Sequence, residues 1–202
     1  VTDTTADPVS CTVNGKPYTC TIIADRGLVC IKDVKVPVVP EGVSVSGTVK
    51  SYNPGNATTI QLMQGGTEMY QTTIAADSGS GQKEQSFTFA SVAAGKYDLV
   101  VVKPGHLSYT VKDVEVGDAA IDLTELADKP YQTITLLAGD VNGDGKINLT
   151  DLSIFKNNFG KTGSAVTNLL ADITGDGKIN LLDLGVFKNN FGKTTSACTV
   201  AY

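Results

Sequence analysis

A twelve-residue loop rich in oxygen-bearing side chains occurs twice near the end of this chain, 32 residues apart, and each copy runs into the same apolar stretch. The first copy reads DVNGDGKINLTD, Asp140 to Asp151, and the second DITGDGKINLLD, Asp172 to Asp183. Over the 26 positions from Asp140 to Ala165, matched to Asp172 to Ala197, 20 residues are identical. Carboxylate, amide or hydroxyl oxygens at loop positions 1, 3, 5, 9 and 12, with glycine at position 6, suit a cation that takes six to eight hard oxygen ligands. A chain with this duplication is built to hold two such ions and to present two similar faces.

The charges sharpen the reading. From Ala138 to Tyr202 there are six acidic residues, all Asp, and all six stand at positions 1, 5 and 12 of the two loops. A merely solvated acidic surface would scatter its carboxylates. The first ligand set is Asp140, Asn142, Asp144, the Lys146 carbonyl, Asn148 through water, and Asp151. The second is Asp172, Thr174, Asp176, the Lys178 carbonyl, Asn180 and Asp183. Gly145 and Gly177 permit the sharp turn. Magnesium demands near-octahedral geometry and retains waters, so the expected cofactor is calcium, two ions. Position 12 is Asp rather than the bidentate Glu of an EF-hand, and no helical pattern precedes either loop. The β-branched run YQTITLL, Tyr131 to Leu137, instead predicts a strand running into the first loop.

A short helix is expected after each loop. Leu152, Phe155 and Phe159 recur at i, i+3, i+7, as do Leu184, Phe187 and Phe191, which predicts one core-facing stripe per helix. Gly160 and Gly192 stand where a C-terminal cap belongs. Winding at 100° per residue gathers Leu149, Ser153, Lys156 and Asn157 on a different face, with Thr150 beside it. Leu181, Leu182, Gly185, Lys188 and Asn189 form the matching face. These faces read either as a solvated helix surface or as a recognition surface kept in both copies. Between the copies, Ser164 is expected to cap a short linking helix through Leu170.

The motif DVNGDGKINLTDLSIFKNNFGK and its repeat DITGDGKINLLDLGVFKNNFGK resemble a dockerin of type I-like character, the module that binds cohesin domains in cellulosome-type assemblies. The resemblance runs from about Gly139 to Lys193. It implies partner contacts from the tenth and eleventh loop residues and the Lys–Asn region one helix later: Leu149, Thr150, Lys156, Asn157 and Lys161, and Leu181, Leu182, Lys188, Asn189 and Lys193. The implied partner is a cohesin on a scaffold protein, in a bacterial, secreted, extracellular or cell-surface system of polysaccharide breakdown. Thr174 departs from the Asn usual at position 3, so the second site is expected to be the weaker.

Upstream, VSVSGTV, ATTIQLM, QSFTFASV, KYDLVVVK and SYTVKDVEV are short alternating or β-branched runs separated by Gly, Pro, Asn and Ser, which predicts a small antiparallel sandwich. The tracts GTVKSYNPGNATTIQL, FASVAAGKYDLVVVKPGH and YTVKDVEV resemble the Cna protein B-type or carboxypeptidase-regulatory-like family, familiar before dockerins as spacer or X-type modules. Some members of that family lock themselves with an isopeptide bond, for which Lys50 would be the lysine.

The first forty residues predict a hairpin at CTVNGKPYTC, turning at Asn14–Gly15, and a further strand in GLVCIKDVKVPVV, ending at Pro40. Four cysteines, Cys11, Cys20, Cys30 and Cys198, form an even set without CxxC, which points away from zinc and towards disulfides in a secreted chain. Three pairings exist; Cys11–Cys20 across the hairpin is favoured, leaving Cys30–Cys198.

The expected fold is therefore multidomain: residues 1–41 a cysteine-bearing β segment, 42–137 an all-β immunoglobulin-like sandwich, and 138–202 a small all-α calcium-binding dockerin. No apolar run approaches the ~20 residues that cross a bilayer, and Val1 is read as a mature or trimmed start. A net charge of −5 argues against nucleic acid. The only histidine, His106 in KPGHLSY, is expected in a surface turn, and no catalytic constellation is expected. The absence of Trp counts against a carbohydrate-binding platform. The alternative function is a structural extracellular protein whose calcium loops stabilise the fold or a homotypic self-association, without a cohesin.

Overall fold

The computed structural model describes residues 9–13, 16–23, 27–30, 42–127 and 129–202. The chain divides into two compact units, Val1–Pro40 and Glu41–Tyr202. In the first, β1 (Val9–Val13), β2 (Lys16–Ile23) and β3 (Gly27–Cys30) form an antiparallel sheet in that order. The predicted hairpin is present, with Val13 opposite Lys16. The predicted turn residues Asn14 and Gly15, and the stretch 31–41, lie outside the described residues. Cys11 and Cys20, the favoured pair, are not directly opposed in the register. Cys11 stands opposite Tyr18, whereas Cys20 stands directly opposite Cys30. Opposed residues of antiparallel strands have Cα atoms about 4.5–5.5 Å apart, within the disulfide range, while a diagonal pair at ~7–8 Å exceeds it.

In the second unit, β4 (Val43–Tyr52) is the middle of one sheet. It pairs antiparallel with β7 (Gln82–Val92) on one side, and parallel with the two-residue β10 (Ile121–Asp122) and β11 (Ile134–Thr135) on the other. The second sheet has the order β12–β9–β8–β5–β6, from β5 (Thr58–Gln64), β6 (Thr67–Ile74), β8 (Gly95–Val102), β9 (Tyr109–Val116) and β12 (Thr199–Ala201). Alternation produces the sandwich: Val45 and Val49 of β4, Ile60 and Leu62 of β5, and Tyr97, Leu99 and Val101 of β8 point inward and are buried, with solvated residues between them. Gly47 belongs to the buried face because a Cβ there would lie 2.8 Å from the Phe87 ring. All five predicted strands are found. The longest strand that sequence reading missed is β6, an edge strand whose run TEMYQTTI is mostly polar, and the short β10 and β12 were missed with it; the signal for β6 is Gly65–Gly66, both at positive φ, which turn β5 back on itself.

The expected strand over Tyr131 to Leu137 is reduced to Ile134 and Thr135, followed by the Leu136 N–H bonded to the Lys50 carbonyl at 2.9 Å. Lys50 itself is half-buried, with its ammonium ion-paired to Glu84 at 3.0 Å, which removes it from any buried cross-link. The buried lysine is Lys103: its ammonium donates to the Asn56 carbonyl and, at 3.3 Å, to Thr58 Oγ1, and burial pulls its pKa down to about 8.

His106 is also buried, contrary to the surface turn expected for it. It pairs with Ala138 in an isolated bridge, its ring Nδ1 lies 2.9 Å from the Pro104 carbonyl, and desolvation pulls its pKa down to about 4. Pro104–Gly105 forms a turn against which the chain enters the first loop, with Gly139 N–H donating to the Gly105 carbonyl at 2.8 Å. Cys198 is a buried thiol paired with no other cysteine among the described residues, and the Cys30 side chain of the expected Cys30–Cys198 bridge lies outside them. It ends a 3-10 turn, Thr195–Cys198, that feeds β12 into parallel pairing with β9. Tyr202 then stacks on Tyr131 with centroids 5.6 Å apart.

Candidate metal centres and helix faces

Each loop is organised by its own first and last aspartates. Asp140 accepts the N–H groups of Gly143 (2.8 Å), Asp144 (3.1 Å) and Gly145 (2.9 Å). Asp151 accepts those of Val141, Asn142 and Asn148 at 2.9, 3.1 and 2.9 Å. These bonds fold the backbone around the carboxylates, helped by positive φ at Gly143 and Gly145. The second loop repeats the arrangement. Asp172 accepts from Gly175, Asp176 and Gly177, and Asp183 from Thr174 and Asn180.

Helices follow where expected: α1 (Leu149–Asn158) and α2 (Leu181–Asn190). Asn148 and Asn180 cap them, accepting from Thr150 N–H at 2.7 Å and Leu182 N–H at 2.8 Å, while Asp151 and Asp183 close reciprocal capping boxes. Loop and helix are therefore one hydrogen-bonded device, in which the last loop aspartate is also the third helical residue. Gly160 and Gly192, at φ 75° and 82°, follow the C-caps as predicted.

Oxygens of Asp140, Asp144 and Asp151 lie within 4.8 Å of one another. Asp140 is 3% exposed and Asp151 fully buried. Among the described residues, no lysine or arginine forms an ion pair with any of the six loop aspartates. Burial raises the carboxyl pKa of both Asp140 and Asp172. Clustered, buried carboxylates without a cationic partner cost free energy unless a cation joins them, and an all-oxygen donor set fits a hard ion such as calcium.

The loops differ at position 3. Asn142 is exposed, its Oδ1 accepting from Asp144 N–H at 3.1 Å. Thr174 is buried, and its hydroxyl donates to Asp183 Oδ1 at 2.9 Å. Among the described residues, only the first loop gathers three carboxylates within 4.8 Å. The second loop should therefore release calcium first, and Thr174→Asn should tighten it by on the order of tenfold, about 1.4 kcal/mol. Calorimetric titration showing two equal sites, or no response to the substitution, would defeat this.

The two copies clasp each other. Gly160 N–H donates to the Ile179 carbonyl and Gly192 N–H to the Ile147 carbonyl, each at 2.8 Å, and Phe155 stacks on Phe187 at 6.3 Å and 15°. The predicted core stripes are shorter than expected. Phe159 and Phe191 fall one residue beyond the helices, each 45% exposed and tilted against the preceding Phe. In place of a linking helix capped by Ser164, two 3-10 turns span Gly163–Ala165 and Leu169–Ala171, the second capped by Asn168. Sequence reading also missed Asn158 and Asn190. Asn158 is buried and gathers the linker through Thr167 N–H, while Asn190 Nδ2 donates to the Ala138 carbonyl at 2.8 Å.

The proposed recognition residues lie outside this core. Leu149 is 70% and Leu181 71% exposed, with Thr150, Lys156, Asn157, Leu182, Lys188, Asn189 and Lys193 also exposed and Lys161 half-buried. On α1, Leu149, Leu152, Ser153, Lys156 and Asn157 line a hollow of about 220 Å³.

Residues 138–192 match the family described as "Dockerin type I domain". No curated protein matches the chain. Two solved structures from Acetivibrio cellulolyticus are similar to it, both type II cohesin–X–dockerin complexes, one an N-terminal and the other a C-terminal interface mutant. Each is 24% identical to this chain, covering 77% of it and 99% of the matched chain, with TM-scores of 0.59 and 0.60. The duplicated loop and helix of residues 138–192 thus match a dockerin type I domain, and a strand-rich sandwich precedes them in this chain.

Proposed function

We propose that this protein is a calcium-dependent docking module that binds a cohesin and tethers its parent protein to a cellulosome-like extracellular scaffold. The observation that carries this reading is the pair of near-identical Leu–Lys–Asn faces left exposed on α1 and α2. Fold stability alone does not require an exposed leucine twice at the same helical position. Two calcium ions are held, one by Asp140, Asn142, Asp144, Lys146, Asn148 and Asp151, the other by Asp172, Thr174, Asp176, Lys178, Asn180 and Asp183. When bound, calcium neutralises the buried carboxylates and draws the loop oxygens together. The residues themselves then set the helices: Asp151 and Asp183 hold the helical N-termini, and the clasp between Ile147, Ile179, Gly160 and Gly192 fixes one face relative to the other. The sandwich, resembling a Cna protein B-type module, serves as an X-type spacer, and the parent acts outside a bacterial cell.

Capture on a panel of immobilised cohesins, with calcium and with EGTA, tests this. Calcium-dependent retention by at least one cohesin is expected. No retention by any of them, together with calcium-induced dimers in sedimentation, would replace docking by the homotypic structural role.

A further inference from the structure

The two calcium loops are near copies, yet the sandwich touches them differently. In the second loop, the carbonyl of Asp172, at position 1, accepts from Asn53 Nδ2 at 3.1 Å. The Thr174 carbonyl, at position 3, accepts from Gly81 N–H at 2.7 Å. Gly175, at position 4, lies so close that a Cβ there would be 2.6 Å from Asn53 Oδ1. Asn53 is itself fixed, at φ 53°, by its N–H bond to the Gly81 carbonyl at 3.1 Å. A left-handed asparagine carries little of the strain that other side chains would meet there. Beside the contact, a water-sized cavity of about 10 Å³ lies among Asn53, Asn56, His106 and Asp172, so the loop seats on the sandwich with almost no free space.

Among the described residues the first loop has no counterpart of this seat. A Cβ at Gly143, the residue matching Gly175, would meet open space. Its brace is the C-terminal tail, through Thr195 N–H to the Gly145 carbonyl at 3.0 Å.

We propose that Asn53, with Gly81, is a positioning residue for the second calcium site, so that calcium binding by the second loop and its seating on the sandwich are coupled while the first loop is independent of that contact. This rests on the calcium reading above. Coupling is reciprocal: whatever the sandwich adds to calcium affinity, calcium adds to the seating. The sandwich thereby partly offsets the weaker ligand set that Thr174 gives the second loop.

The test uses the whole chain with each site isolated, Asp144→Ala to silence the first loop and Asp176→Ala to silence the second. Asn53→Ala and Asn53→Gly both remove the bond to Asp172, and the glycine keeps the positive φ. Both are expected to weaken calcium binding at the second loop by about tenfold, the worth of one hydrogen bond, and to change the first by less than about twofold. Equal weakening of both sites, or no change at the second, overturns the proposal. An independent readout is hydrogen exchange of the Gly81 amide in the unsubstituted chain. Protection should fall on chelation; protection identical with calcium and with EGTA also overturns it. Failure of the Asp144→Ala chain to bind calcium while Asp176→Ala binds it would instead defeat the calcium reading of the second loop.

Discussion

Chelation with EGTA should abolish the ellipticity of α1 and α2 while the sandwich strands remain folded. Without calcium, Asp140 and Asp151 in one loop and Asp183 in the other are buried carboxylates, Asp172 is half-buried, and among the described residues no cationic side chain is paired with any of them. Their repulsion and desolvation act against loops whose ordering already costs about 1–2 kcal/mol of backbone entropy per residue. The compensating core is small, since the cluster peculiar to the helical region is Val141, Phe155, Ala171 and Ile179. The sandwich has its own buried set in β4, β5, β7, β8 and β9 and keeps it. It should nevertheless melt earlier, because Ile147, Ile173 and Phe187 are packed into that same core and are lost with the helices. Circular dichroism at 222 nm, with exchange protection of β5 and β8 followed alongside, reads both parts. Unchanged helical signal in EGTA, or loss of the sandwich together with the helices, would sink this expectation.

Removing both exposed faces should abolish cohesin binding, whereas removing either one should cost little. The six lysines from 146 to 193 balance the six loop aspartates, and two calcium ions bring the segment to about +4. The faces carrying Lys156 and Lys188 are thus cationic around an exposed leucine, which fits an acidic partner surface with an apolar centre and an association slowed by salt. Because Leu149 and Leu181 are equally exposed, the module should be able to engage after a 180° rotation with either helix as the main contact. Leu149, Lys156 and Asn157 to Ala should lower affinity by less than about tenfold, as should Leu181, Lys188 and Asn189 to Ala. All six together should lower it by more than about a thousandfold, about 4 kcal/mol. A single-face variant that destroys binding would refute the two orientations. A six-fold variant that binds normally would remove these faces from the interface altogether.

The helical region was the most legible part of the chain. Its loops, terminal glycines and helix faces all depend on residues within a dozen positions of one another, and spacing alone reports them. Phe159 and Phe191 show where such reasoning stops. Periodicity placed them on the buried stripe, but the helices end one residue earlier, and the Gly that follows stands at positive φ and breaks the helical winding. The sandwich was legible where strands alternate cleanly and illegible at β6, whose edge position lets polar residues occupy most of it.

The sequence by itself determined that two oxygen-lined loops would each nucleate a capped helix and that alternating strands would precede them. Tertiary structure decided what those elements lean on. It buried His106 against the entry to the first loop, left Cys198 a buried thiol and put Cys20 across from Cys30. It returned Thr199–Ala201 to the edge of the sandwich beside β9, and it seated the second loop, but not the first, on Asn53. The Asn53–Asp172 contact joins residues 119 apart, and the strand pairing of Val200 with Val111 is also long-range. Two loops with almost the same sequence receive different neighbours because a neighbour is fixed by how the sheets stack, and no local pattern of side chains records that.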